Sequence, residues 1–83
     1  MDQIARTPKQ IGDIVRQHRR KLGLNQAGLG EKTSLRQATI SAVETGKART
    51  ELRIVCDILA ALDLELVIRP RSKASPDEIE ELF

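Results

Sequence analysis

Five residues within six positions, Gln37, Ala38, Thr39, Ser41 and Ala42, carry side chains suited to reading the edges of base pairs. A glutamine carboxamide pairs bidentately with adenine, and an alanine or threonine methyl can touch the methyl of thymine. Thr39 is equally suited to being a solvated helix residue. The cations Arg36, Lys47 and Arg49 flank this set. They are expected to neutralise phosphates, each contact steepening the salt dependence of binding by about one unit of log-log slope. Two of the three are expected to be contacts and the third a solvated charge. No comparable set supports catalysis. His18 and Cys56 are the only histidine and cysteine, so neither a clustered imidazole nor a thiolate metal site can form. His18 has no Ser, Cys or Asp constellation around it and reads as a helix-face residue. Gly28-Leu29-Gly30 follows no strand and lacks a third glycine, which excludes a dinucleotide loop. No catalytic residue, cofactor or metal is expected, and the chain is not read as an enzyme.

Composition narrows the setting. A chain of 83 residues makes one small domain, which buries only about 60% of the surface its unfolded form exposes. Small cores are helped by disulfides, metals or a partner chain. The lone cysteine leaves the partner chain, so oligomerisation is expected. Net charge is +2, unevenly distributed: residues 1–75 hold all 14 Lys and Arg against 8 acids, whereas residues 76–83 hold 4 acids and no base. A basic body with an acidic tail points to a polyanion surface and a separate role for the tail, although a merely solvated basic domain accounts equally well for the charge alone. No apolar run approaches the roughly 20 residues of a membrane span, and Met1 to Arg6 lacks the apolar core of a secretory signal. A cytoplasmic protein without a membrane partner is expected.

The elements that must position these residues are helices with clear punctuation. Thr7-Pro8-Lys9-Gln10 is a helix start with a hydroxyl cap and Pro at the first position. Ile11, Ile14, Val15, His18 and Leu22 then recur at helical spacing until Gly23, predicting a helix over 8–22. Asn25 caps a second helix over 26–33, inside which Gly28 and Gly30 each cost about 1 kcal/mol. Gly30 suits close helix packing; Gly28 has no evident purpose. Gln26, at the start of this helix, stands where unpaired amides attract a phosphate, with simple capping as the alternative. A break at Ser34-Leu35 leads to a third helix over 36–44 with Ile40 and Val43 inward, ended by Thr45-Gly46. Thr50 is expected to cap a fourth helix over 51–62, with Leu52, Val55, Cys56, Leu59 and Leu62 as its apolar stripe and Cys56 as a core thiol. The period then changes. Leu64 to Pro70 alternates like a strand closed by proline, and a lone strand needs a partner for its backbone groups. The same strand of a second subunit would supply one; an exposed extended linker is the alternative. Beyond the linker Arg71 to Ala74, Ser75-Pro76-Asp77-Glu78 is a second capping box, with Ile79, Leu82 and Phe83 on one face of a short helix.

Two short helices joined by a tight break, the second presenting short polar side chains, is the arrangement that places a recognition helix in the major groove. The run from Leu24 to Gly46 resembles the lambda-repressor/Cro-type helix-turn-helix family. Gln26 opens the first motif helix, Ile40-Ser41 lies in the second, and Glu44-Thr45-Gly46 ends it. The resemblance extends over about residues 8–62. It departs at Ser34, where the family usually has glycine and where a serine costs more in a left-handed conformation, and at Arg36, where Ser or Thr is usual. The resemblance implies that Gln26 contacts the DNA backbone and braces Gln37. It also implies that Arg19 and Glu44 form a structural ion pair between the first and third helices. The Thr-Pro-x-Gln opening, the run Arg36 to Ser41, and Leu64-Glu65-Leu66 are similar to the HipB-type antitoxin branch, which implies a HipA-like kinase toxin as a partner.

These readings combine into an all-α, lambda-repressor-like fold of four to five helices with one C-terminal β-strand pairing across a dimer. Residues 1–7 form an N-terminal arm, 8–63 the helix-turn-helix domain, 64–70 the dimerisation strand through Leu64, Leu66, Val67 and Ile68, and 71–83 a tail whose Ile79, Leu82 and Phe83 bind a partner. The expected function is a dimeric autorepressor on a near-palindromic double-stranded operator. Two alternatives stand beside it: a phage-type repressor with no toxin partner, and a toxin-sequestering module with secondary DNA binding.

Overall fold

Thr7 and Asn25 begin the first two helices by the same means. The structure, a computed structural model, describes residues 2–47 and 49–71. In α1 (Pro8–Lys21) the Thr7 hydroxyl accepts from the Gln10 amide at 3.1 Å. The Gln10 side chain reaches back to the Arg6 amide, one residue before the cap. In α2 (Gln26–Thr33) the Asn25 side chain accepts from the Gly28 amide at 2.7 Å. Each bond satisfies an amide that the helix leaves without an internal partner. The later helices, α3 (Gln37–Glu44) and α4 (Leu52–Ala61), start at Arg36 and Glu51 with no side-chain cap bond. The expected cap Thr50 is turned the other way, its hydroxyl donating to the Lys47 carbonyl at 3.4 Å.

All four helices stop alike. Gly23, Ser34, Gly46 and Asp63 have positive φ of 72°, 58°, 78° and 59°. The amide after each bonds a carbonyl five residues back: Leu24 to Arg19, Leu35 to Gly30, Lys47 to Ala42 and Leu64 to Leu59, at 2.8–3.1 Å. This is the six-residue closure of a Schellman motif, which consumes otherwise orphaned carbonyls. Leu24, Leu35 and Leu64 follow the left-handed residue and pack against the core, supplying the apolar contact that usually accompanies the motif.

The core consists of Val15 from α1, Leu29 from α2, Ile40 and Val43 from α3, and Val55, Ile58, Leu59 and Leu62 in and just after α4. Each buried aliphatic side chain contributes about 1.5–3 kcal/mol. α3 packs on α1 and α2, and α2 also packs on α4. The expected stripe of α4 is corrected: Leu52 is 68% exposed and Cys56 is exposed, while Ile58 is fully buried. At 100° per residue, Val55, Ile58, Leu59 and Leu62 share one arc, and Leu52 and Cys56 lie past its edge. Gly12, unremarked in the sequence, is where α1 and α3 meet, since a Cβ there would stand 2.4 Å from the Val43 carbonyl oxygen. At Gly30 a Cβ would stand 2.7 Å from the Leu35 carbonyl oxygen, so that close approach is to the following turn and not to another helix.

Leu64 to Arg71 leaves α4 without forming helix or ladder, and no strand occurs among the described residues. Nothing else among the described residues offers a strand to pair with. Leu66, Val67 and Ile68 are 51%, 67% and 99% exposed. The N-terminal arm lies across a groove from this segment, with Ile11, Ile14 and Leu59 in its walls. Contacts near its start help hold the arm: Gln3 Nε2 donates to Gln17 Oε1 at 2.8 Å, Gln3 Oε1 meets His18 Nε2 at 2.6 Å, and Asp2 lies 3.8 Å from Arg69. The expected tail helix, with Ile79, Leu82 and Phe83, lies outside the described residues.

Candidate nucleic-acid interface

α3 is presented by what lies beneath it. Ile40 and Val43 anchor its inner side in the core, which leaves Gln37 and Ala38 exposed and Thr39, Ser41 and Ala42 half-buried. The turn from α2 is closed by Ser34 in the left-handed region, φ 58° and ψ 32°, where glycine would be less strained. Arg36, Lys47 and Arg49 are exposed and make no ion pair among the described residues. The sequence-predicted base-reading and phosphate-binding side chains thus border the two ends and the open side of one short helix.

The last residue of α3 fixes its position. Glu44 is fully buried. Arg19 Nε donates to Glu44 Oε2 at 2.7 Å and Arg19 Nη2 to Oε1 at 3.0 Å, a bidentate pair, while Arg19 Nη1 donates to the Leu24 carbonyl at 2.8 Å. Two further donors meet on Oε1, each at 3.3 Å: Arg16 Nε and Gln26 Nε2. Burial pushes the Glu44 carboxyl up. The hydrogen bonds from Arg19, Gln26 and Arg16, together with the charge of Arg19, outweigh that and hold it below the ordinary glutamate range. The hydrogen bond to Glu44 in turn raises Arg19, against the effect of its own burial. One carboxylate thereby ties α1 and α2 to the end of α3, and no buried side-chain polar atom among the described residues lacks a partner.

Two features of this cluster were not read from the sequence. The Gln26 carboxamide goes to Glu44, and no hydrogen bond joins it to Gln37 among the described residues. Arg16 is the second arginine on Glu44; its only signal was its position one helical turn before Arg19. Among the described residues no helix is long and apolar enough to cross a membrane, and no group of three metal-ligating side chains occurs.

A buried carboxylate locking a short, polar-faced helix to the helix before it and to α1 defines a helix-turn-helix domain, and the chain belongs to that family: the helix-turn-helix family model matches residues 15–68. Among curated proteins it is similar to antitoxin HipB of Escherichia coli K12, 31% identical over 75 residues that cover 90% of this chain and 85% of the relative. Among solved structures it is similar to a HipB variant in complex with an O2 20mer, with 29% identity and a TM-score of 0.79, covering 87% of this chain and all of the other. It is also similar to a chain of a HipA–HipB–O2–O3 complex, with 28% identity and a TM-score of 0.78, covering 86% of this chain and all of the other.

Proposed function

We propose that this chain is a dimeric, sequence-specific DNA-binding repressor of the antitoxin type, acting in the cytoplasm and not as an enzyme. The observation that carries the reading is α3 itself, a short helix with Gln37, Ala38, Thr39, Ser41 and Ala42 on its open side, held at its last residue by the buried Arg19–Glu44 pair. Those five residues read base edges. Gln26, Arg36, Lys47 and Arg49 bind phosphates. Two copies place their α3 helices in successive major grooves about 34 Å apart, so the operator is near-palindromic. The second copy joins through Leu64, Leu66, Val67 and Ile68, of which the last three are largely exposed in the single chain. A HipA-like kinase is the protein partner, a reading supported by the similarity to a chain solved in complex with HipA.

Fluorescence anisotropy against the DNA upstream of the gene, with a scrambled duplex as control and at two salt concentrations, tests the repressor. A preference for the upstream DNA of about a thousandfold or more is expected, with steep salt dependence. Equal, weak binding to both duplexes would reject autorepression. Deleting residues 76–83 is expected to leave operator affinity intact while weakening capture of the kinase.

A further inference from the structure

The segment from Asp63 to Arg71 begins with two acids, Asp63 and Glu65, and ends with two arginines, Arg69 and Arg71. Within one chain this pattern is almost unused. Asp63, Glu65 and Arg71 are exposed and make no ion pair among the described residues. Arg69 has only the 3.8 Å contact with Asp2, between side chains 47% and 82% exposed. The backbone from Glu65 to Arg71 makes no backbone hydrogen bond among the described residues. Exposure also rises along the apolar positions: Leu64 is half-buried against the core, Leu66 is 51% exposed and Ile68 is 99% exposed. The segment thus leaves its own core step by step, and nothing among the described residues covers Ile68.

A second copy matches both patterns in one arrangement. Side chains alternate along a strand, so Leu64, Leu66 and Ile68 share one face and Glu65, Val67 and Arg69 the other. Pairing must keep the faces apart, since a slip of one residue turns every side chain over. Parallel pairing in a symmetric dimer would set Glu65 beside its own copy and Arg69 beside its own copy, which is repulsive. Antiparallel pairing with Val67 opposite its own copy instead places Glu65 opposite the partner's Arg69 and Leu66 opposite the partner's Ile68, each twice by symmetry. It also brings Asp63 towards the partner's Arg71, just beyond the ladder. The neighbouring registers that preserve the faces, centred on Leu66 or on Ile68, set Val67 opposite Glu65 or Arg69 and keep one kind of ion pair in place of two.

We infer that Glu65 and Arg69 are specificity-determining residues of self-recognition: they fix an antiparallel register centred on Val67, and they admit a second copy of this chain in preference to related chains that lack the charge pattern. This rests on the proposed dimer through residues 64–70. A slip to a neighbouring register would move one subunit by about 7 Å along the strand, so the same two residues set the separation of the two α3 helices.

The test is sedimentation equilibrium of the full chain, of E65R, of R69E and of an equal mixture of the two variants. Each reversal alone sets like charges opposite one another twice and is expected to weaken dimerisation about fivefold to thirtyfold. In the mixture every cross-strand pair between the two variants is again of opposite sign, so heterodimers form with about the affinity of the parent. Single reversals that dimerise like the parent overturn the inference, as does a mixture no better associated than its components. Mild oxidation reads the register without relying on charge. In a C56S background, which removes the native thiol, V67C is expected to close a cross-chain disulfide, whereas the copies of L66C or of I68C stand too far apart to bridge. Bridging at L66C or I68C in preference to V67C overturns the register. Ile68→Pro separates the two possible failures. If it breaks the dimer while the reversals do not, the strands pair in another way and only this inference falls. If it leaves the dimer intact, or if the parent is monomeric, the pairing of residues 64–70 falls with it.

Discussion

On one side of the molecule a fully buried carboxylate takes four hydrogen bonds from two helices. On the other, three consecutive residues, Leu66, Val67 and Ile68, hold their apolar side chains largely in water. The first region is finished within one chain. Every charge in it has a partner, and its geometry is set before any ligand arrives. The second is unfinished: its backbone has no neighbouring strand among the described residues, and its apolar side chains remain half or more exposed. The difference separates two tasks. Orienting a recognition helix demands a preset local geometry, which a single chain can provide. Spacing two such helices on a duplex requires a second copy, and on the proposed reading the exposed residues 66–68 are the surface left for it.

Removing the side chain that closes the first region has the largest expected effect. Glu44→Ala leaves Arg19 buried without its counter-ion, a change that costs about 3–5 kcal/mol. For a domain of this size the melting temperature falls by at least about 12 °C, readable by circular dichroism. Glu44→Gln separates charge from shape. Because the folded carboxyl titrates below its unfolded value, its contribution is complete above the ordinary glutamate pKa of about 4.3 and is lost as pH falls through the lower folded value. The stability of the parent should therefore decline with acidification below that range, and the decline should be shallower in Glu44→Gln at a fixed protein concentration.

The second region is broken differently. Ile68 is 99% exposed, so Ile68→Pro should barely change the unfolding of the monomer. A proline in a paired strand removes a ladder bond and leaves its partner unsatisfied, at a cost of about 1–3 kcal/mol, which weakens dimerisation by about fivefold to a hundredfold. Sedimentation equilibrium reads this directly; an unchanged dimer would dismiss the pairing of residues 64–70. A smaller effect sharpens the contrast from within the first region. Gly12→Ala presses a methyl against the Val43 and Glu44 carbonyls and should cost about 1–3 kcal/mol by urea unfolding. The smallest has the opposite sign: Ser34→Gly relieves a left-handed residue and should gain about 0.5–1 kcal/mol.

Legibility followed the range of the interaction. Thr7 and Asn25 could be recognised as caps because the cap and the amide it serves are three residues apart. The inward positions of α3, Ile40 and Val43, followed from helical period alone. Thr50 was misread because a hydroxyl before a helix can turn either way, and here the Lys47 carbonyl claims it. Cys56 was misplaced because the apolar positions of α4 span a wider arc than its neighbours can cover. The role of Gly12 depends on a backbone more than thirty residues away, which no local pattern records. Asp63 carries no glycine to mark its left-handed turn. In the candidate site, residue types indicated the open face of α3, whereas the convergence of Arg16 and Gln26 on one oxygen is a fact of tertiary packing.

The repeated helix closure bears on how quickly this chain reaches its native state. Each elbow is made by a hydrogen bond spanning five residues, so all four corners can form before distant parts of the chain meet. The contacts to Glu44 span 18, 25 and 28 residues and must be among the later ones. The conformational search is thus largely reduced to swinging a few pre-bent segments until one carboxylate finds its arginines. Chains dominated by such short-range contacts fold in microseconds to milliseconds. A freshly synthesised monomer should therefore hold its recognition helix in place well before it encounters a second copy.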